Sequence, residues 1–184
     1  MLRAQTQESH ERLERVALLA ELSSGSITLP RYRHYLGRMH AFHAAVEGAL
    51  LPRLPPAYAA ARMNHGARLA RDLHALGAPA VPAPQPLCRA ARALAPSPAA
   101  VWGVLYVLEG ARLGSQVLLR RNAANAAVCQ SHAYIAGEGE RTGLFWRDFC
   151  LMLEAGAAPC DQQTLPPAAN RTFALLGHWL EDSP

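Results

Sequence analysis

The chain has 184 residues, of which 51% are hydrophobic and 17% charged, a composition typical of one globular domain rather than of a disordered chain. All 18 basic residues are arginine and the formal net charge is +4, but no arginine cluster is interleaved with aromatic residues, so we predict no nucleic-acid partner. The sequence has no apolar run of about 18 residues, and its first ten residues are polar, which predicts a cytoplasmic protein with no membrane segment.

Proline and glycine divide the chain into a series of predicted helices, and long strand-like alternation is absent. In chain order, we predict helices over residues 1–22, 28–50, 56–76, 87–94, 99–122, 141–154 and 167–180. Residues 78–86 include four prolines and should form an extended connector, and Ser97 followed by Pro98 is typical of a helix start. The sequence therefore predicts an all-α fold, with residues 1–184 forming a single domain.

The first predicted helix carries a histidine within an apolar stripe. Leu2, Thr6, His10, Leu13 and Ala17 recur at spacings of three and four residues, so they share one helix face. A histidine on such a face is more often a hydrogen-bonded core residue than a ligand, although imidazole is also the usual axial ligand of a heme iron. The pattern alone leaves both interpretations open.

The helix predicted over residues 99–122 is apolar on nearly every side at its start, yet it contains Gly103, Gly110 and Gly114. Each glycine inside a helix costs on the order of 1 kcal/mol relative to alanine. The spacings of seven and four residues place all three along one side, which lets another group approach the backbone closely. That group is either a packed helix or a flat ligand, and the spacing does not decide between them.

Two segments together resemble known sequences. Residues 2–14, LRAQTQESHERLE, look like the proximal-helix signature of bacterial heme oxygenases, and residues 105–118, LYVLEGARLGSQVL, look like their distal helix. The order of segments, the length and the last helix fit as well, and the nearest subgroup is that of the heme oxygenases associated with bacteriophytochromes. The resemblance implies an all-α fold in which heme lies between a proximal and a distal helix.

The resemblance also implies roles for individual residues. His10 matches the proximal ligand of the heme iron, and Gly110 and Gly114 match the distal glycines that lie against the heme face. Arg3 and Arg147 match positions that contact heme propionates in relatives. Tyr106 and Arg112 are further polar candidates for contact with heme. Two positions depart from the family pattern, because Ser115 replaces a second distal glycine and Ala111 stands where the mammalian enzymes carry an acid.

The implied activity is cleavage of heme b to biliverdin IXα, with O₂ consumed and carbon monoxide and iron released. The four cysteines show no iron–sulfur or zinc spacing and there is no flavin fingerprint, so electrons should come from an external donor protein such as a ferredoxin or a reductase. A bacteriophytochrome is the expected recipient of biliverdin. A heme carrier or sensor without turnover, and an enzyme of cofactor or thiamine metabolism with the same fold, are the alternative functions; a helical regulator is a third.

Overall fold

The computed structural model of this protein describes residues 2–157 and 163–181. Within these residues the chain forms α-helices and two short 3₁₀ turns, at Leu51–Arg53 and Gly139–Arg141, with no β-strand. The helices are α1 (Leu2–Glu14), α2 (Ala17–Ser24), α3 (Leu29–Leu50), α4 (Pro56–Arg62), α5 (His65–Ala75), α6 (Gln85–Leu94), α7 (Pro98–Arg121), α8 (Ala126–Gln130), α9 (Ala133–Ala136), α10 (Thr142–Ala157) and α11 (Leu165–Glu181). The predicted all-α fold is confirmed.

The two longest helices, α3 and α7, organise the packing. α7 packs against α10 and α11, α3 packs against α5 and α6, and α1 lies on α11. The largest fully buried side chains come mainly from these elements: Tyr32, Phe42, Phe149, Leu18, Leu22, Leu36, Leu50, Leu69, Leu73, Leu105, Ile135 and Leu180. Every one of them removes apolar area from water, which is the main stabilising contribution to a domain of this size.

The helix predicted over residues 1–22 is broken at Val16, whose backbone is extended (φ −59°, ψ 130°) and whose side chain is buried. The break allows α1 to lie on α11 while α2 packs against α3 and α7. A continuous helix would hold all its residues on one axis, so it could not reach both places. The apolar periodicity found the helical residues but not the change of direction.

The helix predicted over residues 56–76 is likewise two helices, because Met63 and Asn64 leave helical geometry between α4 and α5. The short helices α8 and α9 were not predicted from the sequence. Asn125 caps α8 by accepting from the N–H groups of Ala127 and Val128. Helices of four and five residues are too short to show a periodicity, so only tertiary contacts define them.

Other local predictions agree with the structure. Ser97 caps α7, its hydroxyl accepting from Ala100 N–H at 3.2 Å, and the proline-rich connector runs without helix up to α6. In the described part of the chain no single helix is long and apolar enough to cross a membrane; α6 and α7 pass that test only as a pair, bent by 115° at their junction. Cys88, Cys129 and Cys150 are free thiols, and Cys160 lies outside the described residues.

Candidate functional site

The three glycines of α7 have two different environments. A Cβ added at Gly103 would lie 2.5 Å from the carbonyl oxygen of Leu165 and 2.7 Å from Cβ of Ala168, so Gly103 allows close packing of α7 on α11. At Gly110 the nearest atoms would belong to the ring of Trp146, 3.8 Å away, and at Gly114 no atom would lie within 4 Å. Gly103 is therefore a packing glycine, whereas Gly110 and Gly114 lie on an open stretch of helix.

Large apolar side chains border that open stretch. Leu113 is 41% exposed and Val117 is 39% exposed, and both fall on the same side of α7 as Gly110 and Gly114. Exposed leucine and valine beside bare backbone form an apolar surface, which is a common property of ligand and partner sites. We call the surface formed by these four residues the glycine face.

His10 lies at the surface rather than in the core. Its side chain is 57% exposed, its Nδ1 atom is 3.7 Å from Oε1 of Glu14 one turn later, and its ring meets the ring of Phe173 edge-on at 5.7 Å. Thr6 is the buried residue of α1, so the apolar stripe seen in the sequence does not bury His10. The interpretation of His10 as a core histidine is therefore wrong, and its imidazole is accessible to a ligand.

A series of apolar and aromatic contacts leads from His10 to Gly110. Phe173 on α11, whose ring meets that of His10, forms a buried cluster with Val107 of α7, and Tyr106 packs against this cluster. The ring of Tyr106 lies 5.8 Å from the ring of Trp146, which in turn lies over Gly110. The imidazole and the open helix backbone are thus connected through packed side chains of α7, α10 and α11, although they are a hundred residues apart in the chain.

The arginines predicted to contact heme propionates differ in their exposure. Arg3, seven residues before His10 on α1, and Arg147, next to Trp146 on α10, are both exposed, so their guanidinium groups are accessible to an anionic group. Arg112 is 5% exposed, and it donates from Nη1 to Glu138 at 2.9 Å and from Nη2 to the carbonyl oxygen of Arg62. Because these buried partners occupy its guanidinium, we leave Arg112 out of the ligand site.

Arg112 belongs to a buried network of charges that the sequence did not reveal. Glu109 accepts from Arg62 Nη1 at 2.9 Å and from the Tyr58 hydroxyl at 3.2 Å, and it lies 3.5 Å from Nε of Arg112. Glu138 accepts from Arg112 and, at 2.6 Å, from Arg68. Burial raises the pKa of the Glu109 carboxyl, and the charges of Arg112 and Arg62 oppose that rise. The i, i+3 spacing of Glu109 and Arg112 was the available signal, but only tertiary structure brings in the other partners.

A second buried polar cluster contains His43, Glu47 and His65. His65 Nδ1 lies 2.8 Å from Glu47 Oε1, and His43 Nε2 lies 3.0 Å from the hydroxyl of Tyr134. Burial holds the pKa of both histidines well below 6.5, so both are neutral at pH 7. These are metal-ligating residue types, but the two imidazole rings stack at 4.4 Å with an angle of 12° between them. Because the ring planes are nearly parallel, the lone pairs of the two imidazoles lie in nearly parallel planes, an arrangement that favours ring stacking over joint binding of one ion.

A cavity of about 710 Å³ opens near the start of α7. It is lined mainly by apolar side chains, among them Leu54, Val101, Trp102, Leu105 and Met152. Neither His10 nor the two open glycines line it, so it is separate from the contacts that join them. Its polar lining residues are Arg53, Tyr58, whose hydroxyl donates to Glu109, and Ser97, whose hydroxyl caps α7.

The fold and these contacts define the chain as an all-α protein with an exposed imidazole on α1 and an open glycine stretch on α7. The family model for heme oxygenase matches residues 1–182. A heme oxygenase from Xanthomonas campestris pv. campestris is 30% identical over 167 residues, covering 87% of this chain and 89% of that protein. The chain belongs to the heme oxygenase family, a family of heme-degrading enzymes.

A solved structure shares the fold. The crystal structure of heme oxygenase-1 from the cyanobacterium Synechocystis sp. PCC6803 in complex with heme matches with a TM-score of 0.70. The match covers 97% of this chain and 88% of the cyanobacterial chain, at 20% sequence identity. At that identity the likeness shows the fold alone, and the roles of particular residues have to be argued from this chain.

Proposed function

We propose that this protein binds heme between α1 and the glycine face of α7 and cleaves it to biliverdin IXα, with release of carbon monoxide and iron. The observation that carries the proposal is the accessible imidazole of His10, which a series of apolar and aromatic contacts connects to the glycine-lined stretch of α7. A flat, largely apolar molecule fits this combination, because side chains at residues 110 and 114 would occupy the space beside the backbone.

The residues of the chain fit a heme in three respects. His10 offers an imidazole nitrogen, and the Glu14 carboxylate facing Nδ1 favours a proton on that atom, which leaves Nε2 as the iron ligand. Gly110 and Gly114, bordered by Leu113 and Val117, offer an apolar surface for the opposite face of the macrocycle.

The polar contacts belong to the edge of the macrocycle. The exposed guanidinium groups of Arg3 and Arg147 are available to pair with propionates, and the hydroxyl of the half-buried Tyr106 is a further polar contact at this edge. These pairs would fix the rotation of the heme within the site and so determine which edge of the macrocycle faces the glycines.

Heme, when bound, would supply the iron at which O₂ is reduced and the ring that is oxidised. The electrons would come from an external donor protein, and a bacteriophytochrome would receive the product. The protein provides ligation, orientation and exclusion of water. Ala111 offers no polar side chain that could hold water, so backbone groups near Gly110 would have to hold any ordered water beside the bound heme.

Heme reconstitution of wild type beside His10→Ala tests this proposal. We expect wild type to bind one heme per chain with the spectrum of a histidine-ligated iron, and His10→Ala to lose that spectrum and to regain it on addition of free imidazole. His74→Ala, which changes an exposed histidine on α5, is the matched control and should behave like wild type. An iron spectrum unchanged by His10→Ala would contradict the assignment.

Turnover is tested separately from binding. With O₂ and a reductant, the Soret band of the wild-type complex should decay while biliverdin absorption appears. A Soret band that persists under these conditions would identify a heme carrier instead. Failure of the wild-type protein to bind one heme per chain would point to another enzyme with the same helical fold.

A further inference from the structure

The open side and the buried side of the same turn of α7 have opposite properties. At about 100° per residue, Gly110 and Gly114 point roughly 150° away from Glu109 and Arg112 around the helix axis. The glycines have nothing packed on them except the ring of Trp146, whereas Glu109 is 1% exposed and Arg112 is 5% exposed. All the strong contacts of this turn are therefore on its buried side.

Those contacts reach two other parts of the fold. Arg112 donates to Asn64 and to the carbonyl oxygen of Arg62, at the break between α4 and α5, and to Glu138 just before the second 3₁₀ turn. Arg62, bound to Glu109, also donates from Nη1 to the carbonyl oxygen of Phe145 at 3.2 Å. Phe145 is the residue before Trp146, whose ring covers Gly110.

A helix turn with two glycines needs such an anchor. Glycine loses more backbone entropy on folding than any other residue, so the segment from Gly110 to Gly114 is intrinsically the least stable part of α7. Its open side contributes little packing, because a Cβ at Gly114 would meet no atom within 4 Å. The position of the backbone on the open side thus depends on the ion pairs on the buried side.

We propose that Glu109 and Arg112 are positioning residues that hold the glycine turn of α7 at the distance heme requires, an inference that rests on the proposed function. They act through the backbone and touch no ligand themselves. The acid of this turn, Glu109, lies on the buried side of α7 and acts on geometry rather than on water. The chemistry of the site then depends on a charge pair that faces away from it.

Arg112→Met is the most informative variant because it keeps the remaining charges balanced. Arg62 stays paired with Glu109 and Arg68 stays paired with Glu138, so no buried charge is left alone. Glu109→Gln would instead leave three arginines with one carboxylate, and loss of folding would then obscure the result. Arg112→Lys restores the charge without the planar fork, so its effects should be intermediate. Arg92→Met, at an exposed arginine of α6, is the matched control.

The first measurement is hydrogen exchange of the heme-free protein. In Arg112→Met we expect amides over residues 110–118 to exchange about tenfold faster or more, while amides of α3 and α11 keep their wild-type rates. Equal acceleration throughout the chain, or none in this segment, would overturn the proposal, because the pair would then stabilise the fold as a whole or not at all.

The second measurement uses the heme-loaded protein. Displacement of the glycine turn should change the ratio of high-spin to low-spin ferric heme and the distribution of biliverdin isomers in Arg112→Met. Arg112→Lys should recover part of the wild-type values, and Arg92→Met should show none of these changes. Local acceleration of exchange with an unchanged spin ratio and isomer distribution would overturn the positioning role. If wild type itself binds no heme, both the proposed function and this proposal are overturned. If wild type binds heme and Arg112→Met changes neither the spin ratio nor the isomer distribution, only the positioning role is overturned.

Discussion

Alanine substitution at the glycines of α7 separates packing from ligand contact within one helix. Alanine is favoured over glycine in a helix interior by about 1 kcal/mol. At Gly114 the added Cβ meets no atom within 4 Å, so we expect the heme-free Gly114→Ala protein to be more stable than wild type by roughly 0.5–1 kcal/mol. At Gly103 the Cβ would lie 2.5 Å from a backbone oxygen of α11, and we expect a loss of roughly 1–3 kcal/mol.

The stabilising substitution should impair heme binding. A methyl group on residue 114 would occupy the glycine face, on which the heme is proposed to lie. Pushing the macrocycle or the helix aside costs roughly 1–3 kcal/mol, and each 1.4 kcal/mol is a tenfold change in affinity. We therefore expect Gly114→Ala to bind heme about tenfold more weakly or worse, although its fold is more stable.

Urea unfolding of the heme-free proteins and titration of the Soret band measure the two effects. Gly48→Ala is the control, because Gly48 lies exposed in α3 and an added Cβ there also meets no atom within 4 Å. It should gain similar stability without any change in heme affinity. Wild-type affinity in Gly114→Ala would refute the assignment of the glycine face to heme, and wild-type stability in Gly103→Ala would refute the packing role of Gly103.

Two further predictions concern buried polar groups. Asp72 is fully buried and accepts from the Ser131 hydroxyl and from the two backbone N–H groups that begin α9. Asp72→Asn should therefore lower the free energy of unfolding, measured by urea titration, by roughly 2–4 kcal/mol. A loss no larger than that caused by Asp148→Asn, at an exposed aspartate, would contradict this. Burial holds the pKa of His43 and His65 well below 6.5, so both are neutral in the folded protein. Below about pH 6.5 the unfolded chain therefore binds more protons than the folded protein. The free energy of unfolding should fall there by about 1.4 kcal/mol per pH unit for each histidine. Urea midpoints between pH 7.5 and 5.5 measure this slope, which should flatten in His43→Gln and not in His74→Gln; equal slopes in both variants would refute it.

Local sequence determined most of the helices and the candidate site residues. Periodicity, the Ser97 cap and the proline-rich connector predicted an all-α fold and most helix positions, because these signals act within a few residues. The resemblance of residues 2–14 and 105–118 to heme oxygenases is likewise a property of contiguous segments, and the match of the family model to residues 1–182 confirms it.

Tertiary structure decided what surrounds each of those residues. One glycine stripe divides into a packing residue at Gly103 and an open pair at Gly110 and Gly114, because α11 covers only the first part of α7. The exposure of His10 depends in the same way on how α1 lies on α11, which the break at Val16 permits. A repeat of three or four residues shows which residues share a face, but what covers that face is set by segments distant in the chain.

The contacts of the charged residue Arg112 also depend on tertiary structure and not on local sequence. Arg112 was a polar candidate for contact with heme, yet it contacts Glu138 and the α4–α5 break on the buried side of the helix. Its partners lie 26 and 50 residues away, and no local pattern connects them. The sequence by itself determined most of the helices and the candidate site residues, while only long-range packing decided which side of α7 is exposed and which is held by buried charge.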